Sequence, residues 1–335
     1  MCPRSAHQGW RTGALPIDRL HRLAALFQRA KTVVLSAWGE PLAYAHLEEA
    51  VRLVAQAGAR PGFVTSGWGL SAERAAALID AGLDFLGFSL AGTTAAVHES
   101  IRVGSSLAAL EQAVRTVVAA RDRRGGSRPR LHLVYLMLRD NLEDLPALPA
   151  LALELGVPQV VLTHLIHVTG PWQESQRVFT CDGADGDAKE TRRIVRAVED
   201  AAAALQIRLA VPPLLPSWPA VCAENPLANL HVSAEGQVSP CVYLNPPLPD
   251  PYERSFCGQA QAGERLVLGN LQTDSVERIW EGEPYREFRA LFARRRRRDV
   301  LGRLFLPATR RPGNAPPHLP PLPVPCRTCH KSLGF

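Results

Sequence analysis

Residues 32–67 read TVVLSAWGEPLAYAHLEEAVRLVAQAGARPGFVTSG, and this stretch decides the predicted fold. It begins with an apolar run at 32–35, continues through a polar loop into an amphipathic stretch at 47–57, and returns to an apolar run at 61–64. Short apolar runs predict buried strands, and apolar residues at i, i+3 and i+4 predict a helix. The order strand, helix, strand indicates parallel strands joined by a helical crossover.

The same alternation continues through the first two thirds of the chain. Further strands are predicted at 85–89, 131–136 and 159–162, and further helices at 71–81, 107–121 and 145–155. Ser71 is a candidate N-cap, with Glu73 in the first turn of its helix. We therefore expect an α/β domain at 1–210, built as an open parallel sheet or a partial barrel.

Composition and charge limit the kind of protein. No apolar stretch approaches the ~20 residues of a membrane span, and no apolar segment of a signal peptide follows the start, so we expect a cytoplasmic protein. In that reducing compartment the seven cysteines are expected to be metal ligands or buried thiols rather than disulfides. The net charge of +6 includes the run Arg294 to Arg298. Because no aromatic residues are interleaved with these arginines, the run indicates a solvated face rather than a nucleic-acid site.

After Pro212 the composition of the sequence changes: prolines become frequent and cysteines cluster. Residues 211–335 are predicted to form a small loop-rich domain, with its clearest helix at 275–292 and an Arg/Pro-rich segment at 294–325. Four cysteines follow the patterns C-x13-G-x4-C and C-x2-C: Cys222, Cys241, Cys326 and Cys329. Thiolates at these spacings suit a tetrahedral zinc site or an iron–sulfur cluster, and the spacing leaves both open.

Short polar motifs follow three of the predicted strands. These are WGEP at 38–41, TSG at 65–67 and SLAG at 89–92, with His98 and Arg102 a short way on. They lie at the edge where ligands bind in parallel sheets and barrels. Each motif alone is a weak signal, because a glycine after a strand is more often a turn residue than a ligand contact.

Taken in order, and with the cysteine module behind them, these motifs resemble the radical S-adenosylmethionine (radical SAM) superfamily, specifically members with a C-terminal SPASM or Twitch extension. WGEP looks like the family's G-G-E-P segment, TSG its T-N-G, and SLAG its S-x-D-G, with Ala91 in place of the acidic residue. The resemblance implies a partial (β/α)6 radical SAM barrel lacking its first strand, followed by a small loop-rich cysteine-ligated domain.

The resemblance also implies which residues bind SAM. The backbone at Gly39 would hold its amino group, Glu40 would orient that backbone or the amine, and Ser89 and Arg102 would contact its ribose or carboxylate. A helix N-terminal carboxylate is the alternative role for Glu40. The full set of expected SAM-binding residues is Trp38, Gly39, Glu40, Pro41, Ser66, Ser89, Arg102 and Asn141.

The start of the chain, Met-Cys-Pro-Arg, is similar to the end of the family's C-x3-C-x2-C motif. Cys2 then corresponds to the third cysteine, and two ligands of the SAM-binding [4Fe–4S] cluster are expected upstream. The alternatives are a chain that starts at an internal methionine and a gene that is shortened and has lost SAM cleavage; we favour the first because the SAM-pocket residues persist. With one thiolate, the 335 residues are not expected to assemble this cluster.

In the C-terminal module the resemblance implies one auxiliary [4Fe–4S] cluster on Cys222, Cys241, Cys326 and Cys329, in the Twitch manner. Cys257 is expected to be a spare thiol, with ligation as its alternative, and Cys181 is expected to be unligated. His164 and His167 follow a predicted strand and are expected to be scaffold residues rather than proton donors.

The function that the resemblance implies is reductive cleavage of SAM to methionine and a 5′-deoxyadenosyl radical, which abstracts hydrogen from a peptide or small-molecule substrate. A reduced flavodoxin or ferredoxin would donate the electron, and neither a membrane nor a nucleic-acid partner is expected. The alternative is a non-catalytic four-cysteine scaffold that holds zinc or a single iron–sulfur cluster and binds a partner protein.

Overall fold

The computed structural model describes residues 2–7, 9–183, 188–305 and 319–335. Contacts divide the chain into two compact units. The first comprises Met1–Cys2, Pro16–Leu165 and Lys189–Pro212, and the second comprises Pro3–Leu15, Ile166–Ala188 and Pro213–Phe335. The division into 1–210 and 211–335 stays a prediction, since these units place 3–15 and 166–188 with the C-terminal part. Residues 306–318 of the Arg/Pro-rich segment lie outside the described residues.

The first unit contains a parallel sheet whose six strands lie side by side in chain order. They are β1 Thr32–Val34, β2 Arg60–Thr65, β3 Phe85–Leu90, β4 Arg130–Met137, β5 Gln159–His164 and β6 Arg208–Ala210. The register sets Phe63 beside Leu86 and Leu86 beside Leu131, so one apolar layer continues across neighbouring strands. The α/β class and the partial barrel are confirmed. β6 was not predicted because its three residues contain no buried apolar run; pairing with β5 defines it.

Helices connect and cover these strands. In chain order, the α-helices of the described residues are α1 Pro3–Ala6, α2 Ile17–His21, α3 Ala24–Phe27, α4 Leu47–Gln56, α5 Ala72–Asp80, α6 Ala95–Ile101, α7 Leu107–Asp122, α8 Leu148–Glu154, α9 Pro171–Ser175, α10 Ala188–Ala204, α11 Val276–Glu281 and α12 Glu283–Phe305. The predicted N-cap is present, since Ser71 Oγ accepts a hydrogen bond from the Arg74 amide at 3.2 Å. Leu47, Val51 and Val54 form the buried face of α4, as the i, i+4, i+7 spacing requires.

Two helical predictions need correction, and other helices were not predicted. The stretch 145–155 is a 3-10 turn, Leu145–Ala147, that leads into α8. α10 was not predicted. The predicted helix 275–292 is two helices, because Gly282 has an extended ψ of 150° and ends α11 before α12 begins. α12 then includes the arginine run: four of its arginines are exposed as expected, whereas Arg295 is buried.

The second unit has short antiparallel strands and long loops. β7 His231–Val232, β8 Gln237–Ser239 and β11 Gly269–Asn270 form a three-stranded sheet, and β9 Tyr252–Phe256 pairs with β10 Gln259–Gly263 in a hairpin. Leu244, Phe288, Phe292 and Cys326 form a buried cluster, and Ile166, Phe179 and Phe335 form another. Among the helices of the described ranges, none has the length and apolar character needed to cross a membrane.

Candidate cofactor and metal sites

Glu40 connects the loop after β1 to the carboxyl end of β2 through hydrogen bonds. It precedes a 3-10 turn, Pro41–Ala43, and its carboxylate accepts a hydrogen bond from the Leu42 amide at 3.1 Å. The same carboxylate accepts from Thr65 Oγ1 at 2.5 Å, from the Ser66 amide at 2.9 Å and from Ser66 Oγ at 2.8 Å. A carboxylate offers about four acceptor positions, and these four donors fill them. Glu40 therefore fixes the loop that contains Gly39.

Arg102 directly follows α6, and its side chain reaches Ser89 near the carboxyl end of β3. Its guanidinium donates a hydrogen bond to Ser89 Oγ. Burial lowers the pKa of Arg102, and the nearby Cys2 and Glu40 act in the opposite direction. Its buried Nε has no hydrogen-bond partner within the described part of the chain. A half-buried arginine whose buried Nε donor is unused suits an anionic or polar ligand, because an unsatisfied buried donor is unfavourable.

The loop after β3 is fixed by His98 and Asn141. His98 is fully buried; its Nδ1 accepts from the Ala91 amide at 3.4 Å, and its Nε2 lies 3.1 Å from Ser105 Oγ. The Asn141 amide group donates to the Ala91 carbonyl at 2.9 Å and to the Leu136 carbonyl at 2.8 Å, and it accepts from the Leu138 amide at 2.8 Å. Asn141 thus positions the backbone beside the site, and contact of its side chain with a cofactor stays a prediction.

The remaining predicted SAM-binding residues line the same edge. Gly39 is exposed, and a Cβ at its position would meet no atom within 4 Å, which leaves its backbone open to a ligand. Trp38 is half-buried and Pro41 is buried. The open backbone at Gly39 and the unused Arg102 donor fit SAM. The described residues of this unit contain a single cysteine, Cys2, which is exposed. One thiolate does not fit a [4Fe–4S] cluster that needs three.

The four predicted ligand cysteines come together in the second unit. Cys222, Cys241, Cys326 and Cys329 are all free thiols that line one cavity; Cys326 is buried and the other three are half-buried. Short 3-10 turns present them: Val242–Leu244 follows Cys241, Val324–Cys326 ends at Cys326, and His330–Leu333 follows Cys329. Gly236, at the turn between β7 and β8, has a left-handed φ of +82°, which explains the glycine of the C-x13-G-x4-C pattern.

Burial opposes ionisation of the cysteine thiols that line this cavity. Burial raises the pKa of Cys222 to about 11, and it also raises the pKa values of Cys241, Cys326 and Cys329. Neighbouring cysteines further raise the pKa of Cys222, Cys241 and Cys326, whereas Arg254 lowers the pKa of Cys326 and Cys329. Arg254 is buried, and its Nε has no partner within the described ranges. Four cysteines that line one cavity, with the buried Arg254 nearby, are a donor set that fits a thiolate-bound metal or cluster.

The other two cysteines of this unit differ from expectation. Cys181 and Cys257 form a disulfide across 76 residues of sequence, so the expectation of no disulfide was wrong. Sequence offered no signal for this pairing, because it depends on the contact of Cys181 with the distant β9–β10 hairpin.

His164 and His167 are both buried, and burial lowers the pKa of His167 to about 3. A scaffold role for these histidines stays a prediction.

Comparison with known proteins places these sites in a family. Residues 1–152 match the radical SAM superfamily, and residues 222–301 match the SPASM iron-sulfur cluster-binding domain. A PqqA peptide cyclase of Gluconobacter oxydans is 30% identical over 275 residues, which cover 81% of this chain and 70% of that protein. The chain belongs to the radical SAM superfamily. The radical SAM and SPASM domains of this family bind SAM and [4Fe–4S] clusters.

Two further proteins are similar to this chain. The tungsten-containing aldehyde ferredoxin oxidoreductase cofactor-modifying protein of Pyrococcus furiosus is 25% identical over 268 residues, covering 79% of this chain and 71% of that protein. The structure of Streptococcus suis SuiB bound to S-adenosylmethionine has a TM-score of 0.59 at 13% identity, covering 84% of this chain and 62% of SuiB. The SuiB likeness shows the fold alone. The chain spans about half the length of several other PqqA peptide cyclases.

Proposed function

We propose that this protein is a radical SAM enzyme that binds SAM at the carboxyl ends of β1 to β3 and acts on a peptide. One arrangement supports the proposed SAM site. Glu40 fixes the ends of β1 and β2, and Arg102 offers an unused buried donor beside β3 and Cys2. A peptide substrate is supported by relatives named PqqA peptide cyclase and by a SuiB structure named as bound to the precursor peptide SuiA.

The proposed roles follow from the geometry of this edge. The exposed backbone at Gly39 binds the amino group of SAM, and Glu40 holds that backbone in place through Thr65 and Ser66. Arg102 donates from Nε to the carboxylate or ribose of SAM, while Ser89 orients its guanidinium. In the second unit, Cys222, Cys241, Cys326 and Cys329 hold one auxiliary [4Fe–4S] cluster.

SAM cleavage requires a cluster with three thiolates, and the described residues supply Cys2 alone at this site. The enzymatic part of the proposal therefore depends on two further thiolates. The electron donor is proposed to be a reduced flavodoxin or ferredoxin, in the cytoplasm. The four-cysteine cavity supports a second candidate, a SAM-binding or metal-stabilised scaffold that does not cleave SAM and instead binds a partner.

The first experiment separates the auxiliary cluster from zinc. The 335-residue chain is reconstituted anaerobically with iron and sulfide, and iron, sulfide and zinc are counted. The proposal expects about four irons per chain, their loss in Cys241→Ser and no change in the matched variant Cys2→Ser. Zinc without iron in the reconstituted chain would contradict the proposed cluster.

The second experiment tests SAM. Calorimetric titration of the reconstituted chain is expected to show SAM binding that Arg102→Met weakens by about tenfold or more, as expected for loss of a charge-assisted hydrogen bond. Cleavage is followed as 5′-deoxyadenosine under a strong reductant, in this chain and in one extended upstream to a complete C-x3-C-x2-C motif. The enzyme proposal expects cleavage in the extended chain. SAM binding without cleavage in either chain would establish the scaffold instead.

A further inference from the structure

The disulfide partners Cys181 and Cys257 lie beside a buried histidine, and all three belong to the second unit. The Sγ atoms of both cysteines and a ring nitrogen of His330 lie within 4.8 Å of one another. These donors are separate from the four free cysteines assigned to the auxiliary cluster. Two sulfur atoms and one imidazole nitrogen are a donor set that suits zinc.

Hydrogen bonds fix which nitrogen of His330 points at the cysteines. Nδ1 lies 3.1 Å from the Ile166 carbonyl, and a carbonyl can only accept, so Nδ1 carries the proton. Nε2 accepts a hydrogen bond from the Cys257 amide at 3.3 Å, so it carries the lone pair. A metal-binding histidine has this arrangement, in which one ring nitrogen donates to a carbonyl and the other faces the metal.

Aromatic rings hold the His330 imidazole in this orientation. The Phe179 ring meets it edge-on with centroids 5.2 Å apart, and the Phe256 ring lies 5.1 Å away on the hairpin. On the other side of the pair, Arg177 Nη1 lies 3.7 Å from Cys181 Sγ. This guanidinium donates a hydrogen bond to the sulfur and so helps to fix the position of Cys181.

The backbone at Cys257 indicates that its thiol is needed at this place. Phe256 pairs with Gln259, so Cys257 and Gly258 are the two loop residues of the β9–β10 hairpin. Both have left-handed φ values, +53° and +83°, as in a type I′ turn. Asparagine or glycine is favoured at the first of these positions, and cysteine is not. An unfavourable backbone conformation that a reactive side chain occupies points to a role for that side chain.

We propose that Cys181, Cys257 and His330 form a thiol-gated zinc site that is closed by the disulfide and opened by reduction. A dithiol gives two electrons and two protons to the disulfide, the S–S bond breaks, and the dithiol leaves as its own disulfide. Zn²⁺ then displaces the protons of Cys181 and Cys257. His330 Nε2 exchanges its hydrogen bond from the Cys257 amide for the metal, and the fourth position stays open to water or a substrate group.

The test counts Co²⁺, used as a spectroscopic probe for zinc, bound to the full 335-residue chain under anaerobic conditions. The reduced chain is expected to bind two ions, one in the four-cysteine cavity and one at the gated site. After oxidation with diamide it is expected to bind one. Thiol titration of the unfolded chain should fall from seven, the number of cysteines, to five, the number of free thiols in the structure.

Matched variants locate the second ion. Cys257→Asn creates an Asn-Gly turn that preserves the hairpin, and it is expected to bind one ion whether oxidised or reduced. Cys181→Ser, on the other segment, should behave in the same way, and Cys2→Ser should behave as the unmodified chain does. One ion in the reduced unmodified chain, two ions in Cys257→Asn, or seven thiols after oxidation would each overturn the proposal. SAM takes no part in these measurements, so their outcome is independent of the proposed enzymatic function.

Discussion

Replacing Glu40 by alanine tests whether this residue fixes the strand ends or contacts SAM directly. The substitution removes the acceptor for four hydrogen bonds, two of them from the buried residues Leu42 and Thr65. A buried donor without an acceptor costs about 1–3 kcal/mol, whereas the half-buried Ser66 donors reach water at little cost. We expect Glu40→Ala to lower the free energy of unfolding by about 3 kcal/mol, measured by urea unfolding of the metal-free chain.

A graded variant and a surface control sharpen this test. Glu40→Gln keeps an oxygen for Leu42 and Thr65 but turns an amide toward the Ser66 N–H, so it should cost about half as much as alanine. Glu143→Gln changes an exposed glutamate and should shift stability by less than about 0.5 kcal/mol. If Glu40→Ala weakened SAM binding and left the urea transition unchanged, Glu40 would be a SAM ligand and the structural role argued here would be refuted.

Three further predictions concern stability. Gly92→Ala places a Cβ against the His98 amide nitrogen and should lower the free energy of unfolding by about 1–3 kcal/mol. In the same urea assay Gly302→Ala, whose Cβ meets no atom within 4 Å, should stabilise α12 by up to about 1 kcal/mol. Arg295→Met leaves three backbone carbonyls without their donor and should lower the free energy of unfolding by about 2–4 kcal/mol. The control Arg296→Met, at an exposed position, should change it by less than about 0.5 kcal/mol. Burial lowers the pKa of His98 to about 4, below its unfolded value, so its stabilisation is present above about pH 6.5 and is lost as the pH falls toward 4. Between pH 7 and pH 5 the free energy of unfolding of the unmodified chain should fall by about 2 kcal/mol more than that of His98→Gln. Equal pH dependence of the two proteins would contradict this assignment.

Periodicity predicted the parts of the fold that bury apolar residues. β2 to β5 and α4, α5 and α7 were located within one or two residues, because each places an apolar run or stripe in the core. The elements that periodicity missed have another origin. β6 exists through pairing with β5, and the end of α11 depends on the backbone angle of one glycine. The continuation of α12 through the arginine run agrees with the good helix propensity of arginine, which a reading by charge alone overlooks.

In the candidate sites too, sequence patterns predicted local features but not tertiary contacts. Sequence patterns identified the four cysteines that line one cavity, since their spacing reflects local turns. They also located Glu40, but its partners Thr65 and Ser66 lie 25 and 26 residues away and follow from the strand order. The disulfide depends on two distant segments meeting, and no local pattern reports that contact. Local chemistry was thus readable from sequence, whereas the partners of each group required the tertiary structure.

The four-cysteine cavity links metal binding to the folding of the second unit. Cys326 is itself part of the buried cluster with Leu244, Phe288 and Phe292, and Cys241 packs against that cluster. Burial keeps these thiols protonated in the absence of a metal, because raised pKa values oppose the thiolate form. A bound metal reverses this balance by replacing the protons, so the free energy of metal binding adds to the stability of a unit with short strands and a small core. The proposed ligand set is therefore part of the core of this unit, and we expect cluster assembly to be coupled to folding of the second unit.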